Sequence, residues 1–274
     1  MRATIDSLWR YPVKSMLGER VRAAHVDRRG LTGDRRLALL DRDTGRVASA
    51  KHPRLWRALL TCGARTDVDG VRITLPCGKT WSNTDADVDA ALSELVGRTV
   101  ALTHVPPPEA ELDRSDPERV LSAGLGAEVP YVSVRFGSAS PPGTFFDFAP
   151  VHLITTATLR RLSTLHPHGT VEAERYRPNL VLDIPGEGFA EHDWIGRELR
   201  IGERLALRVI ASTPRCAVPT LAHGALPRDP DALRLPAVHH SVPALPGRSP
   251  EPCAGVYAQV VRDGQVREGD SVRF

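Results

Sequence analysis

Short apolar–polar alternation, broken every few residues by glycine or proline, is the feature that most restricts what this chain can become. Glycine and proline together account for 45 of its 274 residues. A side-chain period of two is that of a half-buried strand, and Gly and Pro punctuate such strands at turns. Residues 4–9 read as a strand closed by Pro12. Residues 37–40 and 47–49 flank the turn 41–45 as a hairpin, and residues 71–75 continue the pattern. Further on, Val151-His152-Leu153-Ile154 and Asn179-Leu180-Val181-Leu182-Asp183 read as strands. Residues 198–201 and 205–210 form a hairpin around Gly202, and residues 255–260 and 266–274 a last one around Asp263-Gly264.

Two segments carry the helical period instead. Val88, Ala91, Leu92, Leu95 and Val96 fall on one stripe, with Thr84 or Asp85 as start cap and Gly97 as stop. Leu159, Leu162 and Leu165 form the second stripe, capped by Thr155-Thr156. The expected fold class is therefore mainly β (α+β): two β-barrel-like domains with a few short helices. Pro106-Pro107-Pro108 can neither pair in a sheet nor continue a helix, so a linker is expected over 106–119, between domains 1–105 and 120–274. Eight prolines lie between Cys216 and Cys253. The stretch 219–252 is expected to be a long, ordered surface loop that shapes a pocket, with His239-His240 as solvated loop histidines.

Charge and composition remove several classes. Net charge is +3, which gives no electrostatic case for nucleic acid. No apolar run is long enough for a transmembrane helix, so no membrane partner is expected. The N-terminus lacks the apolar stretch of a signal peptide, so the expected location is cytoplasmic. Cys62, Cys77, Cys216 and Cys253 form no C-x-x-C pair, against a zinc knuckle or dithiol redox centre. Serine-hydrolase, zincin and P-loop signatures are absent.

The residues that could carry chemistry are few. Cys216 sits between Pro214 and Pro219, and Arg215 beside it favours the thiolate; a stiffened thiol beside a cation suits a soft-metal ligand or a nucleophile. A buried structural thiol is the other reading of the same pattern. Lys14-Ser15 and Asp34-Arg35 follow strands and offer donors suited to phosphate or carboxylate. Arg175, Arg177 and Asn179 place fork donors directly before a strand, at the rim of a sheet.

In order and spacing these motifs resemble the MOSC family, named for the C-terminal domain of molybdenum cofactor sulfurase, together with its N-terminal β-barrel partner. The resemblance rests on Tyr11-Pro12-Val13-Lys14-Ser15, Gly33-Asp34-Arg35, Arg177-Pro178-Asn179-Leu180, Trp194-Ile195-Gly196, Arg215-Cys216 and Gly255-Val256-Tyr257-Ala258. It is nearest to amidoxime-reducing molybdenum enzymes. It implies that Cys216 is the catalytic metal ligand. It also implies that Lys14, Ser15, Arg35, Arg177 and Asn179, with Arg215, hold the molybdenum cofactor (a Mo-pyranopterin). The implied activity is reduction of small N-hydroxylated substrates. No ferredoxin-like cysteine set follows Gly269-Asp270, so electrons are expected from a separate electron-transfer protein. A non-redox alternative uses the same thiol, as a persulfide in a sulfur carrier or as the anchor of a cofactor carrier. Pro214 stands where relatives have serine, and Asp229-Pro230-Asp231 lies later than their acidic stretch.

Overall fold

The computed structural model describes residues 3–136, 139–186 and 188–274. Seven strands close into a barrel: β1 (Ala3–Arg10), β2 (Val151–Thr155), β3 (Leu180–Asp183), β4 (Glu198–Ile201), β5 (Leu205–Pro214), β6 (Pro250–Arg262) and β7 (Ser271–Arg273). Their order around the barrel is β2-β3-β1-β7-β4-β5-β6, and β6 returns to β2 to close it. Every neighbouring pair is antiparallel except β2–β3. That parallel pair is joined through the helix Thr156–Leu165, the crossover such strands need. Thr155 Oγ1 accepts from Thr158 N at 3.1 Å and caps this helix as the sequence predicts. All five residues of β2 are buried. The barrel interior is filled by alternate residues such as Leu180 and Leu182, Leu199 and Ile201, and Leu205, Leu207 and Val209, together with Ile5 and Leu8, whose spacing of three reflects a bulge in β1 between Ile5 and Ser7.

The first strand of the chain thus belongs to the barrel made otherwise by residues beyond 150, so no single cut near residue 105 separates the two cores. A second core holds Val13, Met16, Leu39, Trp56, Leu59, Ile73 and Leu92. It is enclosed by Ala38–Asp41 paired with Val100–Thr103, by the meander Gly63–Asp67, Gly70–Thr74 and Thr80–Ser82, and by the helix Val88–Val96. Gly97 ends this helix at φ 68°, as expected, but its N-cap is Asp87 rather than Thr84 or Asp85. Among the described residues, no helix is long and apolar enough to cross a membrane.

Four expectations of local structure are corrected. Residues 38–41 take Val100–Thr103 as their main partner, and the hairpin contact across 41–45 reduces to a bridge between Leu40 and Val47. The proposed linker 106–119 is not bare: it carries the strand Glu111–Ser115, paired with Tyr131–Arg135, and the start of the helix Pro117–Ala123, capped by Asp116. The turn at Asp263-Gly264 does not fold a hairpin, because Gly264–Arg267 pairs with Ala23–Asp27 and Ser271–Arg273 joins β1 and β4. The proline-rich stretch contains the helix Asp231–His239 and the strand Ser241–Pro243. There His240 is half-buried and stacked on Phe189 at a centroid distance of 4.0 Å, not solvated. At residues 38–41 and 264–267 a strand distant in sequence outcompetes the local turn.

Candidate functional site

The chain leaves the barrel at Arg10 and crosses to the second core through Tyr11-Pro12-Val13, where Val13 bridges to Leu37. Lys14 and Ser15 sit at this crossing. The Lys14 ammonium donates to Phe145 O at 2.8 Å and to Asp147 Oδ1 at 2.6 Å. Lys51 approaches the other oxygen of the same carboxylate at 3.2 Å. Ser15 Oγ accepts from Ala50 N at 3.0 Å, and its hydroxyl proton remains available to a ligand.

Asp34 is the node of a second group. Its carboxylate accepts from Tyr11 N at 2.6 Å and Asn179 Nδ2 at 2.9 Å, and pairs closely with Arg35. The Arg35 and Arg177 guanidinium groups lie 5.0 and 4.3 Å from the centroid of the Tyr11 ring. Arg177 is the C-cap of the short helix Ala173–Tyr176, and among the described residues no carboxylate pairs with its side chain. Ser15, Arg35 and Arg177 adopt φ of 65°, 45° and 55°; Glu109 is the other described non-glycine residue in that region. Left-handed backbone at a non-glycine residue is unfavourable by about 1–3 kcal/mol and persists only where surrounding contacts enforce it.

Cys216 follows β5 in a stiff turn before Val218–Thr220, and it is 9% exposed. Arg215 is committed to protein groups: it donates from Nε to Ala254 O (2.8 Å), from Nη1 to Tyr176 O (3.1 Å) and from Nη2 to His152 Nε2 (2.6 Å). Arginine is always a donor and a carbonyl always an acceptor, so His152 must be neutral with its proton on Nδ1, donated to Arg177 O at 3.2 Å. Burial, reinforced by Arg215, accordingly holds the His152 pKa well below the ordinary histidine value.

All seven residues singled out from the sequence, namely Lys14, Ser15, Arg35, Arg177, Asn179, Arg215 and Cys216, line one cavity of about 520 Å³. Their situations differ. Asn179 donates to Asp34 and Trp9 O and accepts from His152 N, so its amide is spent on protein partners. Like Arg215, it lines the cavity while its polar atoms bond protein groups, which braces the wall. Sequence reasoning missed Lys51 and Asp147, which share the cavity. The signal for Asp147 was present: an acid within Phe145-Phe146-Asp147-Phe148 marks a charge carried into a buried site, where it must be paired.

The electrostatics are one-sided. Nine lysines and arginines line the cavity against two carboxylates. Burial pushes the Lys14 pKa down to about 8 despite Asp147, and that of Arg177 down to about 10. Burial opposes the charge on Lys51 too, but Asp147 and Cys216 outweigh it and raise its pKa. Burial opposes ionisation of Asp147, yet Lys14 and Lys51 hold its carboxyl far below the usual range. A half-buried guanidinium without a carboxylate partner, a soft thiol lining the same cavity and a surplus of donors together suit an anionic ligand that carries a thiophilic metal. The residues present therefore fit a phosphate-bearing molybdenum cofactor.

Comparison with known proteins matches two family domains in succession. Residues 2–103 match the MOSC N-terminal beta barrel domain, and residues 141–273 match the MOSC domain. A search of curated proteins finds no match. The crystal structure of the YUAD protein from Bacillus subtilis is similar at a TM-score of 0.46 and 11% identity, covering 99% of this chain and 94% of that one. With the two matches spanning most of its length, the chain belongs to the MOSC domain family, which is linked to molybdenum-cofactor binding and sulfurase-like function.

Proposed function

We propose that this protein binds molybdenum cofactor through Cys216 and reduces N–O bonds of small N-hydroxylated substrates, with electrons delivered by a separate electron-transfer protein. The observation that carries the reading is convergence: Lys14, Ser15 and Arg35, Arg177, and Cys216 come from three distant stretches of chain onto one cavity. When bound, the cofactor supplies a two-electron redox centre suited to oxygen-atom transfer. In the net reaction one N–O bond breaks, two electrons and two protons enter, and the amine (or amidine) and water leave.

The chain's own groups have separable tasks. Cys216 Sγ is the metal ligand. Arg177, Arg35, Lys14 and Ser15 hold the phosphate, where the planar forks of the arginines suit its oxygens better than lysine would. Asp147 fixes the Lys14 and Lys51 ammonium groups, and Lys51 keeps a proton at Nζ beside the thiol wall. Arg215 and Asn179 set the wall itself.

The test is elemental analysis of protein made in a host that synthesises the cofactor, with benzamidoxime reduction by a chemical electron donor. Wild type should hold about one molybdenum per chain and turn over, and Cys216→Ala should do neither while keeping its fold. Molybdenum retained in the alanine variant refutes the ligand assignment. Sulfane sulfur on Cys216 without any N–O turnover would establish the carrier alternative instead.

A further inference from the structure

The two outer walls of the cavity come from different parts of the chain. Residues 104–140 are matched by neither family domain. Within them the hairpin of Glu111–Ser115 and Tyr131–Arg135 contributes Arg114, Val134 and Arg135 to the wall. The facing wall is the proline-rich stretch, through Leu245, Arg248 and Glu251. Arg114 reaches Glu251 at 3.5 Å, so one ion pair spans the two walls. Side-chain exposure rises from 4% at Lys14 through 19% at Lys51 and 27% at Arg114 to 62% at Arg135, which places this end outermost.

At the outer end three arginines, Arg114, Arg135 and Arg248, line the cavity with one carboxylate, Glu251, while Glu109 and Glu111 stand beside Arg135 outside the lining. Glu251 is taken up by Arg114. Arg135 contacts the exposed Glu109 at 3.1 Å and the half-buried Glu111 at 3.7 Å, and an ion pair with an exposed partner such as Glu109 exchanges readily. Arg248 is exposed and has no acidic partner among the described residues. Val134 and Leu245 lie between these arginines as apolar surface. Arg248 is thus left without an acidic partner among the described residues, and Arg135 holds an exposed one, Glu109, that a ligand carboxylate can replace.

We propose that this outer cavity selects substrates bearing a carboxylate at the end remote from the N–O group. Arg135 and Arg248 take the carboxylate, and Val134 and Leu245 take the apolar body. The inference rests on the reductase reading of the inner site, and it assigns specificity to two surface segments, the hairpin outside both family matches and the proline-rich stretch within the MOSC match, where variation in a loop changes ligand choice without disturbing the scaffold.

The experiment compares 4-carboxybenzamidoxime with its methyl ester, which carries the same N–O group without the charge. Wild-type holoenzyme with a chemical electron donor should show a kcat/KM about tenfold higher for the acid, a difference that shrinks as ionic strength rises. In Arg135→Ala/Arg248→Ala the acid-to-ester ratio should fall to about one, and Arg248→Glu should invert it. Equal or ester-favoured values in wild type overturn the proposal. Calorimetric titration of both compounds separates the two levels of inference. If neither compound is turned over, the reductase reading has failed. Tighter binding of the acid, lost in the double variant, then upholds the anion-selecting wall, and equal binding overturns it.

Discussion

Three of the four described non-glycine residues with left-handed backbone, Ser15, Arg35 and Arg177, stand on one cavity wall. Strain concentrated this way is retained where position matters more than stability. Arg177 makes the point most sharply, since its half-buried guanidinium lies against Tyr11 with no carboxylate paired to it among the described residues. A buried charge without a counterion is destabilising. Arg177→Gln should therefore raise the stability of the cofactor-free protein by about 1 kcal/mol while weakening anion binding. Thermal unfolding with and without inorganic phosphate checks both halves: phosphate should raise the Tm of wild type and leave the variant nearly unmoved. Lys14 adds a pH dependence to the same site. Burial lowers its pKa to about 8, so the ammonium is fully charged below that value and neutral above it. Phosphate stabilisation should be largest near pH 6.5 and decline as pH rises through about 8. An undiminished effect at pH 9.5 would remove Lys14 from the anion site.

At the scale of elements, β6 is the strand that aims the site. Gly255 adopts φ 78°, and a Cβ there would stand 2.6 Å from His152 Nε2 and 2.7 Å from Leu153 O. Its N–H donates to the buried Glu191 carboxylate at 3.1 Å, while Ala254 O next to it receives Arg215. One backbone turn thus positions the arginine that precedes Cys216. Gly255→Ala combines an unfavourable φ with contacts that backbone and a buried ring cannot relieve. The expected loss of stability is about 2–4 kcal/mol in denaturant unfolding. A change within about 0.5 kcal/mol would mean that the turn relaxes freely. The sequence marks Gly255 as part of a motif but not why glycine is needed there; the close approach of β2 supplies the reason.

For the whole molecule, the decisive fact is that β1 completes the barrel between β3 and β7. The stretch matched to the MOSC domain, residues 141–273, contains only six of the seven barrel strands. Without β1 the facing edges of β3 and β7 are unpaired, and Ile5 and Leu8 are missing from the core. A fragment of residues 141–274 should therefore lack a cooperative unfolding transition, and adding a peptide of residues 1–12 should restore one. A fragment that unfolds cooperatively alone would show that the barrel closes by other means. The same crossing strand carries Lys14 and Ser15 to the cavity, so barrel closure and assembly of the site are one event.

The sequence alone determined the mainly β class, the two amphipathic helices, the Thr155 and Gly97 caps, and a set of seven residues that share one cavity. These follow from side-chain period, cap chemistry and motif order, all of which are local. Strand partnership was decided only in three dimensions: residues 38–41 with 100–103, Gly264–Arg267 with Ala23–Asp27, and β1 with β3 and β7. The same holds for the division of labour within the cavity, where Asn179 and Arg215 turn inward to brace the wall and Lys51 and Asp147 join the charges. A strand's alternation specifies which face is buried but not which strand lies beside it, and a polar residue's type specifies what it can bond but not whether the protein itself supplies the partner.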